Sequence, residues 1–492
     1  MAIQTDPPET INWDKIATVT LFVGLLIYIL LRAYLFQLTY DEVASIVGHV
    51  PFSVGTIISS ANHIACANNH TINTLWLKFC LLAFGNNELL LRLPNILSFV
   101  SAYYFIFRLA QLLHQKNTTV PYFFYLLVFF ANPYLIEFFA LARGYGIMSG
   151  AVCASVYYTT LYIYSEKIGA LRLACAAGTL ACFGNLIAIF YLAALFSLFF
   201  IVIIQNYYEN NKKSTPLLLL TNLFSASGIA FLLLLVPLHN LIASGDGAGG
   251  EKGFFVDTIY SLSNSFLYNN PFLVGKIVAG HSAQWYLSIF FIIIFISIVL
   301  VLAYKSKKIG TKIVNSPFFA SVFLLTTVSS ISIFLFHTRH VYYLQNRTGI
   351  ILMLLFSWAV AAAIHALPTD WKYKKTVLWL LILPFLLHFT LVANVSRSQE
   401  WGCDGDVKAI ISTLNERYKT QNRTTSFHIF SAADGGISLR YYMENQTNKT
   451  LIWQEHRPDF MYIDTDKVRA AQDSFDLLLQ LPRGTLMQRK NH

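Results

Sequence analysis

Charge is scarce in this chain. Of 492 residues only 12% are Asp, Glu, Lys or Arg while 55% are hydrophobic, against about 25% charged in an average soluble domain. A surface drawn from that composition must face something other than water, and the solvent that fits is a bilayer. Cysteine is sparse as well. The six (Cys66, Cys80, Cys153, Cys175, Cys182 and Cys403) form no CxxC pair and no zinc spacing, and most sit within apolar segments, which makes them packing residues. The amino terminus, MAIQTDPPETINWDK, lacks the basic stretch and small-residue cleavage site of a signal peptide, so the first helix is expected to remain as an anchor. The net charge is +10, yet its Lys and Arg are scattered between apolar segments rather than gathered in a stripe, which sets nucleic acid aside as a partner.

The charges that exist are unevenly spread. Residues 396–492 hold 13 basic and 12 acidic residues, and the first 395 hold 22 and 13. We therefore expect a polytopic membrane domain over 1–395 and a small aqueous domain over 396–492. A spanning helix needs about 20 apolar residues. Such runs fall near 16–36, 90–113, 119–137, 144–165, 169–186, 187–206, 216–242, 284–304, 317–338, 348–367 and 376–395, about eleven spans. With a cytoplasmic amino terminus, the inner loops collect twelve cations: Lys116, Lys167, Arg172, Lys212, Lys213, Lys305, Lys307, Lys308, Lys312, Lys372, Lys374 and Lys375. Only Glu166, Glu209 and Asp370 oppose them, which satisfies the positive-inside rule.

That orientation puts two long loops, from Thr39 to about Leu89 and from Ala243 to Ala283, on the outer side with the carboxyl-terminal domain. IVGHVPFSVGTIISSANHIA and TINTLWLKFCLLAFG in the first loop read as interfacial helices, too short or too polar to span. Directly after the first span stand Tyr40-Asp41-Glu42. Acids at a membrane surface are functional or paired, so Asp41 is a candidate general base; the plainer alternative makes it the N-cap of a following helix. Glu137 is the one acid in its loop, and either serves the site or closes the turn by pairing with Arg143. Five outer cations, Lys78, Arg92, Arg143, Arg339 and Arg347, run against the positive-inside bias and each needs an anion. Arg339, Tyr343 and Arg347 are spaced by four and would share a helical face able to clamp phosphate, unless they merely snorkel to lipid headgroups. His49, His63, His70, His281, His337 and His340 fall on the same side without HExxH spacing, so a divalent cation near Asp41 and Glu42 rests on proximity alone.

The order of these parts resembles the GT-C membrane glycosyltransferases, in particular the branch of protein O-mannosyltransferases, the lipid A aminoarabinose transferase and their bacterial relatives. In that branch an acidic pair opens the first outer loop, an Asn-His-Pro-Pro-Leu segment follows, and a phrase like LFG-x-x-E-x-x-x-RLPS begins the second span. Here they are matched by Asp41-Glu42, by Asn69-His70, and by Phe84-Gly85-Asn86-Asn87-Glu88 with Arg92-Leu93-Pro94-Asn95. Arg143-Gly144-Tyr145 resembles the Arg-x-Tyr start of the fourth span, and Tyr342 to Arg347 a late outer Arg motif. Thr71 and Ile72 stand where the two prolines are expected. The resemblance implies transfer of a sugar, with inversion, from a polyprenyl-phosphate donor to a lipid, glycan or protein acceptor on the outer face of a bacterial plasma membrane. It implies Asp41 as base, Glu42 and Glu137 as orienting acids, and Asn69 and His70 as substrate contacts. The donor phosphate would fall to Lys78, Arg92, Arg143, Tyr145, Arg339, Tyr343 and Arg347.

In the tail, helical spacing over 404–419 and short apolar runs at Phe427–Ser431, Thr450–Trp453, Phe460–Asp464 and Phe475–Leu481 predict a small α/β domain, whose size suggests an accessory role. Six N-x-S/T matches begin at Asn69, Asn117, Asn346, Asn422, Asn445 and Asn448; Asn117 falls in an inner loop, which favours a bacterial membrane over a secretory one. A transporter or flippase for a lipid-linked or anionic substrate is the main rival. It lacks its usual signs, since no internal repeat is evident and the charged residues gather on one side rather than at mid-membrane. A noncatalytic assembly subunit would leave Asp41 and the outer cations without a task.

Overall fold

The computed structural model describes residues 13–61, 69–116, 120–210, 214–244, 249–368, 373–421, 426–432, 436–445, 450–464, 467–482 and 484–490. Cys66, His63, Asn117, Lys212, Lys213, Asp370, Lys372, Asn422 and Asn448, singled out above, lie outside the described residues.

Helix α1 (Trp13–Leu35) is followed after a short extended turn by α2 (Tyr40–Gly48), α3 (Val54–Ser59) and α4 (Thr71–Phe84). The start of α2 is written into the sequence as a Thr-x-x-Glu capping box. The Thr39 side chain accepts from the Glu42 backbone N–H at 3.3 Å, and the Glu42 carboxylate accepts from Thr39 N–H at 2.8 Å. The cap is Thr39, so Asp41 is the second residue of the first turn, with its side chain released from capping duty. Helix α5 (Glu88–Lys116) packs beside α1, and the chain returns as α6 (Tyr122–Phe130) and α7 (Pro133–Glu137). These two meet at a 74° bend. Asn132 caps α7 by accepting from Tyr134 N–H (3.1 Å) and Leu135 N–H (3.2 Å), and Pro133 fixes its first turn.

Helices α8 (Gly144–Ser165) and α9 (Ile168–Gly184) form the tightest pair in the molecule. A Cβ at Gly144 would lie 1.8 Å from the Gly184 carbonyl oxygen, so only glycine lets the two backbones approach there. The chain continues through α10 (Ile189–Asn210) and α11 (Ser214–Ser244), then the short α12 (Ser261–Leu267) and a hairpin of β1 (Ile277–Val278) and β2 (His281–Ser282), and on through α13 (Ala283–Ile309), α14 (Pro317–Arg339), α15 (Ile350–Ala366) and α16 (Lys374–Val392).

The expected eleven spans are not all of one kind. Among the described residues seven helices are long and apolar enough to cross a membrane, or eight if the bent α6–α7 pair counts as one. Helices α8, α9 and α16 occupy the other expected positions. Only 17 residues make up α9, and the apolar part of α16 is confined to Leu378–Val392. Helix α8 is buried along nearly its whole length, so its Gly, Ser, Thr and Tyr residues meet other helices rather than lipid and need not be apolar.

Beyond α16 the chain runs through an irregular segment into α17 (Val407–Thr420), β3 (Phe427–Ser431), α18 (Gly436–Glu444), β4 (Leu451–Trp453), β5 (Phe460–Asp464), α19 (Val468–Ala471), β6 (Phe475–Gln480) and β7 (Gly484–Arg489). The sheet order is β4-β3-β5-β7-β6, with β3 parallel to β4 and β5, and β7 antiparallel to β5 and β6. Alternate residues of β3 are buried, and Phe427 and Ile429 join Phe460, Tyr462 and Leu486 against Ile410, Leu414, Leu439 and Met443 of the helices. The chain is thus a helical polytopic membrane protein with a small carboxyl-terminal α/β domain. That domain rests on the first loop: Tyr441, with Ile437 and Tyr442 beside it, packs with Leu38, Val43, Ile46, Leu77 and Leu91.

Candidate active site

Three arginines, Arg32, Arg92 and Arg143, are among the largest fully buried side chains. A buried guanidinium needs five hydrogen-bond acceptors and an anion, and each of the three is placed by that requirement.

Arg92, from α5, meets it completely. Its Nε donates to Glu42 Oε1 (2.9 Å) and its Nη2 to Glu42 Oε2 (2.8 Å), while Nη1 reaches the carbonyls of Ala33 (2.7 Å) and Phe36 (2.6 Å) and Nη2 also that of Gln37 (2.8 Å). Glu42 in turn accepts from Thr39 and Ala142 N–H groups. Burial works against the Glu42 charge, but Arg92 and these N–H groups outweigh it and hold the carboxyl below its ordinary range. Both side chains are fully buried, and together they lock the α1–α2 turn onto α5. Neither the carboxylate nor the guanidinium has a group left over for a substrate, contrary to the roles expected for them.

Asp41 is differently placed. Its Oδ2 lies 3.3 Å from Arg143 Nη2 and 3.2 Å from Arg347 Nη2. Arg143 is further held by the Asp41 carbonyl (3.0 Å) and Ser45 Oγ (2.8 Å). Arg347 also faces Glu400, with Nη1 to Oε2 at 3.5 Å, and stacks over the Trp401 ring with Cζ 5.2 Å from its centroid. Tyr134 donates its hydroxyl to Glu400 Oε1. Burial raises the Glu400 carboxyl above its ordinary value despite Arg347. Arg347 is 27% exposed, the most accessible member of this group.

Glu137 does not pair with Arg143. It lies 3.4 Å from Arg32 of α1, and accepts from Ser398 Oγ and the Gln399 N–H. Arg32 also donates to the carbonyls of Asn394 (2.7 Å) and Arg397. This buried pair ties α1, α7 and the segment that leads to Glu400. A cavity of about 350 Å³ opens beside that segment, between Tyr268, Pro271, Leu391 and Ser396–Gln399; Asp41, Arg143 and Arg347 do not line it.

The other expected residues divide. His70 is buried with its ring 5.1 Å from that of Tyr145, and burial together with Arg143 and Arg347 keeps it well below the ordinary imidazole range, hence neutral. Both belong to the Asp41 surroundings. Asn69 instead donates to Ile57 O (2.8 Å) and Ser60 Oγ (3.0 Å), and Lys78 to the carbonyls of Val50 (2.8 Å) and Phe52 (3.0 Å). Both secure turns of the first loop. Arg339, Tyr343 and Arg347 do not share a helical face: α14 ends at Arg339, and His340 turns the chain with φ of 55°. Arg339 is exposed there, and buried Tyr343 exchanges backbone hydrogen bonds with Gly250. Among the described residues no three His, Cys, Asp or Glu side chains converge as a metal site.

Sequence reading missed Arg32, Glu400, Tyr134 and Asp404. The Asp404 carboxylate accepts from the Tyr40 N–H at 2.6 Å, and burial raises it to about 7. Only Arg32 carried a local signal, as a lone charge in the first apolar run.

No family model matches the chain, and no curated protein matches it. The chain is similar to solved structures of ArnT from Cupriavidus metallidurans. For the form bound to undecaprenyl phosphate the identity is 10% and the TM-score 0.38, covering 95% of this chain and 97% of that one. For the apo form the identity and score are the same, covering 96% and 98%. At that level of superposition, any assignment of chemistry rests on the side chains.

Proposed function

We propose that the chain is an integral-membrane glycosyltransferase that moves a sugar from a polyprenyl-phosphate donor to a hydroxyl-bearing acceptor at the outer face of a bacterial plasma membrane. The observation that carries this reading is Asp41: a carboxylate freed from helix capping and held at ion-pair distance from two guanidinium groups, while its neighbour Glu42 is consumed structurally. The motif resemblance supplies the donor class.

In this reading Asp41 accepts the acceptor hydroxyl proton as its oxygen attacks the anomeric carbon. The bond from that carbon to the phosphate oxygen breaks on the opposite side, giving inversion, and polyprenyl phosphate leaves as an anion. Arg347, partly exposed and forked, is the group to receive that anion, with Arg143 deeper behind it. The seven expected phosphate ligands thus contract to Arg347 and Arg143 with Tyr145, because Lys78 and Arg92 spend their donors on backbone carbonyls and Glu42, Arg339 stands at the exposed end of α14, and the buried Tyr343 stacks on Phe336 with its hydroxyl toward His337. Neutral His70 beside Tyr145 suits a hydrogen bond to a sugar or acceptor hydroxyl.

The test is release of polyprenyl phosphate from labelled polyprenyl-phosphate sugars by the purified protein. Asp41→Asn is expected to abolish release while retaining carrier binding, and near-normal turnover by that variant removes Asp41 from the mechanism. Movement of the labelled lipid across vesicles without release of polyprenyl phosphate would mark a flippase instead.

A further inference from the structure

Residues 394–404, where α16 gives way to the tail, make a series of bonds to the site that no local sequence pattern announces. Glu400 faces Arg347, and Asp404 takes the Tyr40 N–H directly before Asp41. Gln37 donates its side-chain amide to the Asp404 carbonyl. Two residues before Tyr40, the Leu38 N–H donates to Tyr442 of α18 at 2.9 Å, and the same Tyr442 hydroxyl donates to Glu88 at the head of α5. Lys408 adds an ion pair to Glu88 at 2.7 Å. The segment from Gln37 to Tyr40, which sets where α2 begins, is therefore gripped by the carboxyl-terminal domain at three of its four positions, Gln37, Leu38 and Tyr40.

Helix α2 needs that grip. Its own capping box satisfies Glu42 N–H through Thr39, and the Tyr40 N–H finds its acceptor, among the described residues, in Asp404. Because Asp41 is the next residue, the position of its carboxylate against Arg143 and Arg347 depends on this hydrogen bond.

We propose that Asp404 is a positioning residue for Asp41 and that the carboxyl-terminal domain, through Asp404 and Tyr442, is a working part of the active site rather than an accessory cap. This deepens the glycosyltransferase reading and rests on it for the identity of the reaction, though the mechanical claim stands on the contacts alone.

The experiment uses the full-length protein in lipid nanodiscs, with amide hydrogen exchange over residues 38–48 and transfer kinetics measured side by side. Asp404→Ala is expected to speed exchange in that segment about threefold to tenfold, the range of a lost helix cap. It should lower kcat about tenfold or more while the KM for the lipid donor changes less than about twofold, because misplacing a base costs rate rather than affinity. Asp404→Asn keeps an acceptor oxygen and should restore both. If Asp404→Ala does not fold, Tyr442→Phe, which removes the acceptor for Leu38 N–H, is expected to speed exchange in the same segment. Unchanged exchange over 38–48 in whichever variant folds overturns the proposal, and so does a kcat loss that Asp404→Asn shares equally. Should Asp41→Asn retain full turnover, the reading of the reaction fails, while the exchange measurement still judges the grip on α2.

Discussion

Replacing Arg92 by methionine separates the two roles open to a buried cation. If Arg92 is the internal partner of Glu42, its loss strands a fully buried carboxylate and the carbonyls of Ala33, Phe36 and Gln37. Removing one member of a buried pair costs about 3–5 kcal/mol, and the orphaned carbonyls push the figure toward the upper end. At roughly 2 °C per kcal/mol for a large chain, the melting temperature should fall by about 6–10 °C. The buried free thiols of Cys153, Cys175 and Cys182 offer the assay: a maleimide dye that fluoresces on reaction reports the opening of the core during a thermal ramp. Pairing Arg92→Met with Glu42→Gln should recover part of the loss, since removing both charges is cheaper than leaving one alone. Binding of polyprenyl phosphate, measured well below the transition, should be nearly unchanged. An unaltered melting curve with roughly tenfold weaker lipid binding would refute this reasoning and return Arg92 to the phosphate.

Arg347→Ala should weaken binding of polyprenyl phosphate roughly 10- to 100-fold, the equivalent of about 1.5–3 kcal/mol for charge-assisted hydrogen bonds; unchanged affinity on titration would exclude it from the phosphate site. Asp404 carries a pH signature. Ionising near 4 when unfolded and near 7 when folded, it leaves the folded state holding the extra proton, so its contribution to stability falls as pH rises from 4 to 7 and is flat above. His70 acts oppositely below about pH 6.5, and Asp41 and Glu42 of α2 face Asp404 with charges of their own, so the effect is read as a difference. The melting temperature of Asp404→Asn should lie closest to the parent's near pH 4 and exceed it by a margin that grows toward pH 7; identical profiles would refute the assignment. Gly144→Ala should cost about 1–3 kcal/mol by overpacking against Gly184, while Gly169→Ala, with open space around it, should melt as the parent does.

What sequence could reveal followed the range of the interactions involved. Hydropathy located the apolar runs because most spans keep a face toward lipid, which is read residue by residue. A helix start was legible at Tyr40-Asp41-Glu42, but with Asp41 in place of Thr39 as its cap, and Glu42 was assigned to the site because nothing local says that Arg92 will turn inward to meet it. Four strands of the tail stood out as apolar runs, whereas Gly484–Arg489, mixed in polarity, did not. Glu400 and Asp404 were silent for a plainer reason. Their partners, Arg347 and Tyr40, lie on other elements, and no periodicity encodes a meeting between distant parts of a chain. The four-residue spacing of Arg339, Tyr343 and Arg347 misled because it assumed a helix that the left-handed His340 ends.

The Arg32–Glu137 pair bears on how the protein is made. Arg32 leaves the ribosome well before its anion, which belongs to a later segment, beyond the Asn132 corner. Until that later segment arrives, the guanidinium must stay solvated at the lipid boundary, so the opening helix cannot settle to its final depth alone. Nor can the corner form in hydrocarbon before neighbours shield its backbone. Biogenesis therefore has a built-in order, in which the first helix waits for the bent pair, and the two complete their insertion together.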